Sequence, residues 1–367
     1  MAAAARVPAL MDELVEEIIV RLPPTEPANL FHAALVCKPW CRLISGPRFR
    51  RRFGELHRTP PMLGFLCNRI DVSRFVPTGA FRPPHADNRG WNAIDARHGR
   101  VLFRTSGWGP RRLLIWNPVT GEERQLPLVG PLLARDWNAA VLCAAGGACD
   151  HLNCHRGPFL VVLVATGDEH ITLRVYSSET GSWSEPTYVA QFPNYKVDKL
   201  AVPAIVGNAL HFVIDSSRRI LKYDLATRET YVFLQPPVSY GYHTTIMTME
   251  DGGLGVARMK GLSLSLWSWE AKSDGGMGWA QIRAIDLAKL LSVNAHSVCS
   301  DFVVFAHGVG IFFVGTDDGL FSFDLKSGQV RKICEGDRRY NDIRGVVPYM
   351  SFYTPGTALL GLCFLKF

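Results

Sequence analysis

Leu113-Leu114-Ile115-Trp116-Asn117-Pro118-Val119-Thr120-Gly121 is the stretch whose reading decides the fold. A short apolar run ends in an aromatic, a residue with a polar side chain follows, and Gly stands five residues after the aromatic. That order specifies a hairpin: Asn, Asp or Ser opens a turn through its own side chain, and Gly supplies positive φ before the chain returns.

The same frame recurs downstream. Leu173-Arg174-Val175-Tyr176-Ser177-Ser178-Glu179-Thr180-Gly181, Ile220-Leu221-Lys222-Tyr223-Asp224-Leu225-Ala226-Thr227-Arg228 and Leu320-Phe321-Ser322-Phe323-Asp324-Leu325-Lys326-Ser327-Gly328 are three further copies. Leu264-Ser265-Leu266-Trp267, with a longer loop reaching Gly278-Trp279, is a fifth. Arg228 stands where the others have Gly, so the third copy is the weakest. A strand lies upstream of several copies, as in Gly99-Arg100-Val101-Leu102-Phe103, Gly207-Asn208-Ala209-Leu210-His211-Phe212 and Gly310-Ile311-Phe312-Phe313-Val314, so three strands of meander per unit are expected. The aromatics at 116, 176, 223, 267 and 323 are 44 to 60 residues apart. That spacing fits the ~40 to 50 residue blade of a β-propeller better than a sandwich. The expectation is about six degenerate blades, with these aromatics filling the blade core rather than touching a ligand.

Before residue 60 the text is helical. Leu10, Leu14, Val15, Ile18, Ile19 and Leu22 recur at helical spacing, with Glu13, Glu16, Glu17 and Arg21 assigned to the opposite face. Pro23-Pro24 stops that helix, Pro27 starts a second with the stripe Leu30, Phe31, Ala34 and Leu35, and Pro39 starts a third with Trp40, Leu43 and Ile44. Gly46-Pro47 ends it, and Phe49 and Phe53 anchor a short turn or helix before Pro60-Pro61. The division read from this is a helical module at 8–53, a linker at 54–62 and a β domain at 63–367. A module of about 40 residues seldom buries enough surface to stand alone, so part of this apolar surface needs a partner.

Leu10-Met11-Asp12-Glu13-Leu14, Ile18-Ile19-Val20-Arg21-Leu22-Pro23 and Leu35-Val36-Cys37-Lys38-Pro39-Trp40-Cys41-Arg42-Leu43-Ile44 together resemble an F-box. The family usually has Pro where this chain has Met11. The downstream repeats, which follow neither the Trp-Asp pattern nor a regular double-glycine kelch pattern, look like the degenerate kelch-like repeats of plant-type F-box-associated domains. The fold expected is therefore mainly β, a three-helix F-box followed by a β-propeller. The resemblance implies docking to the Skp adaptor of a cullin-based ubiquitin ligase, with Leu10, Leu14, Ile18, Leu22, Pro23, Val36, Cys37, Trp40 and Leu43 forming or supporting the docking face. It also implies an unknown target protein held by the propeller. The competing reading of the helices is a cap for the β domain, on a propeller enzyme or ligand-binding module.

Composition agrees with a folded, turn-rich chain: among 367 residues, 47% are hydrophobic and 20% charged, with 33 Gly and 23 Pro. The longest apolar run, Phe159 to Ala165, falls short of the ~18 residues that span a bilayer. Met1 to Ala5, cut off by Arg6 and Pro8, is too short for a signal-peptide core, so a cytoplasmic or nuclear protein with no membrane partner is expected. Nine Cys, scattered among apolar neighbours as at Cys37, Cys299 and Cys363, read as reduced thiols. A net charge of +7 is a mild excess, and no nucleic-acid partner is expected from it.

Cys143, Cys149, His151, Cys154 and His155 crowd one Gly-rich insertion with ligand types that suit zinc. The adjacency of Cys154 and His155 and the six-residue step from Cys143 to Cys149 depart from paired-ligand spacing, so a surface loop without metal is the expectation. Arg48, Arg50, Arg51, Arg52 and Arg58 read as a solvated helix face. There is no G-x-S-x-G, H-E-x-x-H or G-x-x-x-x-G-K-[ST]. Asp317-Asp318-Gly319 and Gly252-Gly253-Leu254-Gly255 read as turns. No catalytic residue and no cofactor are expected.

Overall fold

The computed structural model describes residues 11–106, 112–129, 136–145, 149, 151, 154–167, 170–189, 196–214, 218–237, 243–273, 275–290, 303–306, 310–316, 319–335 and 343–354. The chain divides into two compact units. One comprises, of the described residues, 11–64 with 77–82 and 350–354; the other comprises 65–76 with the residues from 83 to 349.

The first unit carries four helices: α1 (Asp12–Ile19), α2 (Pro27–Ala34), α3 (Lys38–Ser45) and α4 (Pro47–His57). Met11 caps α1 with an extended backbone, and Asp12 and Glu13 in its first turn meet the positive end of the helix dipole. Prolines open α2, α3 and α4, where the missing N–H has no helical partner to lose. The arginine-rich stretch forms α4, which carries the helical run to His57. Helices of this length are marginal in isolation. They are held by a shared core of Val15, Ile19, Val20, Leu30, Ala34, Ile44, Phe49 and Phe53, with Leu22, Ala33, Trp40, Leu43 and Phe352 packed at its edge. Phe49 and Phe53 lie one turn apart with ring centroids 5.9 Å apart, and Phe53 meets Phe352 edge-on at 6.0 Å. His57 Nε2 donates to Val20 O at 2.9 Å, joining the ends of α4 and α1.

The second unit is a ring of six antiparallel sheets. Blade 1 combines β1 (Met62–Asn68), β2 (Val72–Pro77) and β3 (Asp87–Arg89) with β25 (Gly345–Met350) in the order β25-β1-β2-β3. Blade 2 is β4 (Trp91–Arg97), β5 (Arg100–Thr105), β6 (Leu113–Trp116) and β7 (Glu123–Gln125). Blade 3 is β8 (Trp137–Cys143), β9 (Phe159–Thr166) and β10 (Ile171–Ser177), edged by β11 (Ser182–Trp183) and β12 (Thr187–Val189). Blade 4 is β13 (Ala204–Val206), β14 (Ala209–Ile214), β15 (Arg219–Asp224) and β16 (Thr230–Leu234). Blade 5 is β17 (His243–Thr248), β18 (Leu254–Lys260), β19 (Ser263–Ala271) and β20 (Met277–Asp286). Blade 6 is β21 (Val303–Ala306), β22 (Ile311–Thr316), β23 (Gly319–Asp324) and β24 (Val330–Glu335).

Each blade thus has a fourth strand beyond the three-strand meander expected. The outer strands explain the miss: β3 and β7 are three-residue polar segments with no apolar alternation, the short charged form in which exposed sheet edges avoid further pairing. A late strand, β25, completes the blade begun by β1, β2 and β3. Contacts bind that blade to both neighbours. Phe65 meets Phe313 of blade 6 at 5.0 Å, and the Tyr349 hydroxyl donates to Gly99 O of blade 2 at 3.3 Å, so the ring is closed.

The repeat folds as its chemistry dictates. Asn117 Oδ1 accepts from Val119 N at 3.0 Å, Asp224 Oδ1 from Ala226 N at 3.0 Å and Asp324 Oδ1 from Lys326 N at 2.8 Å. Gly121, Gly181 and Gly328 take φ of 77°, 69° and 68° at the next corner. Arg228 keeps the same conformation, with φ 60°, in spite of its side chain.

Candidate functional site

On α1 the apolar residues form two rows. Val15 and Ile19 point inward and are buried, whereas Met11, Leu14 and Ile18 are 64%, 47% and 61% exposed. Successive residues advance about 100° around a helix, so 14 and 18 fall on the flank of the buried arc centred on 15 and 19, while Met11, one turn before Val15, is exposed as the N-cap. Leu35 and Val36, between α2 and α3, are likewise exposed, as is Pro23. Leu22, Cys37, Trp40 and Leu43 are half-buried, so they brace the surface as much as they form it. Leu10 lies outside the described residues. Met11 and Leu35 belong with the exposed apolar residues, although Leu35 continues the helical stripe of Leu30, Phe31 and Ala34 in the sequence.

Glu16 departs from its expected solvent-facing position. Its side chain is buried and paired with Arg52 at 2.9 Å, with Arg48 at 3.9 Å. Arg52 also pairs with Glu17 at 2.5 Å, and the hydrogen bonds from Arg52 and Arg21 hold the Glu17 carboxyl below its usual range. Two of the five arginines are therefore spent joining α4 to α1, while Arg51 and Arg58 face solvent.

Among the repeat aromatics, Trp116, Tyr176, Tyr223 and Phe323 are buried. Trp267 is half-buried, beside Phe233, Trp269 and Trp279. Tight interblade clamps account for several buried polar groups. Asp95 Oδ2 accepts from Val141 N at 2.8 Å, and Asn138 Nδ2 donates to Asp198 O and Ala201 O at 2.8 and 2.7 Å. Burial pushes the Asp95 carboxyl up, against the opposing Arg97 guanidinium 2.9 Å away. Gly252 turns β17 into β18 as expected, while Asp317 and Asp318 lie outside the described residues.

Where the innermost strands begin, a cleft is lined, among the described residues, by Arg104, Lys199 and Arg344 with Asn68 and Asn92, and Lys199 is paired with Asp136 at 3.6 Å. A second groove, about 560 Å³, runs along blades 2 and 3 between Arg100, Arg124 and Arg156 on one side of the charge balance and Glu122 and Glu123 on the other.

The insertion of blade 3, expected as a surface loop without metal, brings four candidate ligands together among the described residues. Cys143, Cys149, His151 and Cys154 converge, their ligand atoms all lying within 4.8 Å of one another. His151 takes part, and the side chain of His155 lies outside the described residues. The signal available in the sequence was Cys149-x4-Cys154, which does fall within paired-ligand spacing once His155 is set aside. Cys37, Cys41, Cys67, Cys143, Cys149, Cys154 and Cys334 are not joined in disulfides; Cys299 and Cys363 lie outside the described residues.

Comparison with known proteins agrees with both units. Residues 10–52 match the F-box domain, and residues 92–356 match the family described as F-box protein AT5G49610-like, beta-propeller. The chain belongs to this family of F-box proteins with a β-propeller. It is similar to the putative F-box/kelch-repeat protein At3g17570 of Arabidopsis thaliana, 23% identical over 320 residues that cover 79% of this chain and 80% of that protein. Among solved structures, TolB from Acinetobacter baumannii matches with a TM-score of 0.46 at 9% identity, covering 81% of this chain and 69% of TolB. A chain of a nidogen/laminin complex matches with a TM-score of 0.45 at 8% identity, covering 79% and 99%. Among the described residues, no helix is long and apolar enough to cross a membrane.

Proposed function

We propose that this chain is the substrate-recognition subunit of a Skp-cullin-F-box ubiquitin ligase, in which the helical unit docks a Skp-type adaptor and the propeller holds the target protein. The observation that carries this reading is the exposure of Met11, Leu14 and Ile18, with Leu35 and Val36, on a module whose own core is already filled. Large aliphatics left in water beside a completed core mark a protein-binding surface. The subunit's contribution is then proximity: holding a target near the ubiquitin-carrying enzyme raises its effective concentration without requiring a catalytic group from this chain. Such a ligase acts in the cytoplasm, the nucleus or both.

The test is reconstitution. Co-expression with a Skp-type adaptor and a cullin scaffold yields a stoichiometric complex that transfers ubiquitin. A well-folded chain that purifies free of the adaptor contradicts the proposal.

A further inference from the structure

Cys143 is the last residue of β8 and pairs in register with Phe159 at the start of β9. The connection between them runs from 144 to 158, whereas the equivalent connections are 98–99 in blade 2, 207–208 in blade 4 and 249–253 in blade 5. Loops longer than about 12 to 15 residues are uncommon in compact domains unless something organises them. One short 3-10 turn, Cys154–Arg156, is the regular structure described in this one.

We propose that Cys143, Cys149, His151 and Cys154 bind one Zn2+, which staples this insertion to the end of the innermost strand of blade 3. Cys149 Sγ and His151 Nδ1 each lie 3.1 Å from Cys154 Sγ, and the four ligand atoms lie within 4.8 Å of one another. A tetrahedral zinc with bonds of ~2.3 Å to sulfur needs ligand separations of about 3.8 Å, inside that span. Three thiolates and an imidazole are a soft, closed donor set that suits structural zinc. Cys143 and Cys154 are buried and Cys149 half-buried, so a bound ion is shielded while the insertion remains open enough for loading.

Arg100 supplies an independent observation. It is 3% exposed, lies over the Phe159 ring at 5.0 Å and donates through Nη2 to Gly157 O, yet its Nη1 is buried without a hydrogen-bond partner among the described residues. Burial disfavours its charge, and Cys154, Cys143, Cys149 and Tyr349 are the neighbours whose ionisation would favour it. A buried guanidinium with an unpaired N–H favours negative charge close by. Zinc displaces the three thiol protons to solvent, and three thiolates, a neutral imidazole and Zn2+ sum to one negative charge beside that guanidinium. A Cys149–Cys154 disulfide would leave Cys143, His151 and Arg100 without a shared role.

The experiment is metal analysis of the full chain, purified under reducing conditions without chelator, with native mass spectrometry. About one zinc per chain is expected in the wild type, and at least about tenfold less in Cys149→Ser with His151→Ala, while Cys334→Ser keeps it. Reconstitution of the stripped wild type with Co2+ should give the visible bands of a tetrahedral thiolate site, a readout that needs no variant. Folded wild-type protein without zinc, zinc retained by the double variant, iron or copper in place of zinc, or a Cys149–Cys154 disulfide in the reduced preparation would each overturn the proposal.

Discussion

The Asp95 carboxylate on β4 accepts a hydrogen bond of 2.8 Å from the Val141 backbone N–H on β8, so the innermost strands of two successive blades are joined through one buried acid. Asp95 sits at a register shift in β4, between Ala93 and Asp95, which sets its side chain across the blade boundary. Arg97 pairs with it at 2.9 Å and donates onward to Pro203 O. Removing the acid strands both a buried cation and a buried N–H. Asp95→Ala should therefore cost about 3 to 5 kcal/mol, read from the midpoint of urea unfolding. A loss below about 1 kcal/mol would mean the clamp is peripheral.

Arg228 holds a left-handed conformation that its sister positions give to Gly. A side chain there costs about 1 to 2 kcal/mol, and Gly returns about 0.5 to 1 of that as unfolded-state entropy. Arg228→Gly should stabilise the protein by about 0.5 to 1 kcal/mol, and Gly181→Ala should destabilise it by a similar amount or more. Thermal unfolding of the two variants side by side checks the sign of each.

Burial holds His211 neutral, with the Lys222 cation opposite it across β15 adding to the effect, and its pKa falls from 6.5 to about 4. Between those values the unfolded chain takes up a proton that the folded one refuses, so stability falls as the pH drops through the window and is fully present above it. For this residue the loss from pH 7 to pH 5 is about 2 kcal/mol. His211→Gln should flatten the pH dependence of urea unfolding by that amount; an unchanged slope would show that His211 is protonated in the fold.

How far the sequence carried this account depends on what each residue had to report. The hairpin repeat was legible because Asn117, Asp224 and Asp324 make their turns locally, and local chemistry is written in adjacent letters. The outer strands were not, since Glu123-Arg124-Gln125 pairs only by backbone and shows no apolar alternation. The arrangement on α1 was half legible. Periodicity found the apolar residues, but the choice between Leu14 with Ile18 and Val15 with Ile19 as the inner row was made by α4, whose Arg52 draws Glu16 inward. The cysteine cluster was obscured by His155, whose adjacency to Cys154 disguised the Cys149, His151 and Cys154 grouping.

The most direct test of the central claim is the affinity of the purified chain for a Skp-type adaptor, measured for the wild type, Leu14→Glu with Ile18→Glu, and the exposed-charge control Arg51→Glu. Because Leu14 and Ile18 lie outside the helical core, the double variant should unfold within about 0.5 kcal/mol of the wild type. It should nonetheless bind at least about 100-fold more weakly, as two interface anchors worth about 2 kcal/mol each require, with Arg51→Glu close to wild type. A wild-type chain that folds but does not bind, or a double variant that binds as well as the wild type, would contradict the docking account.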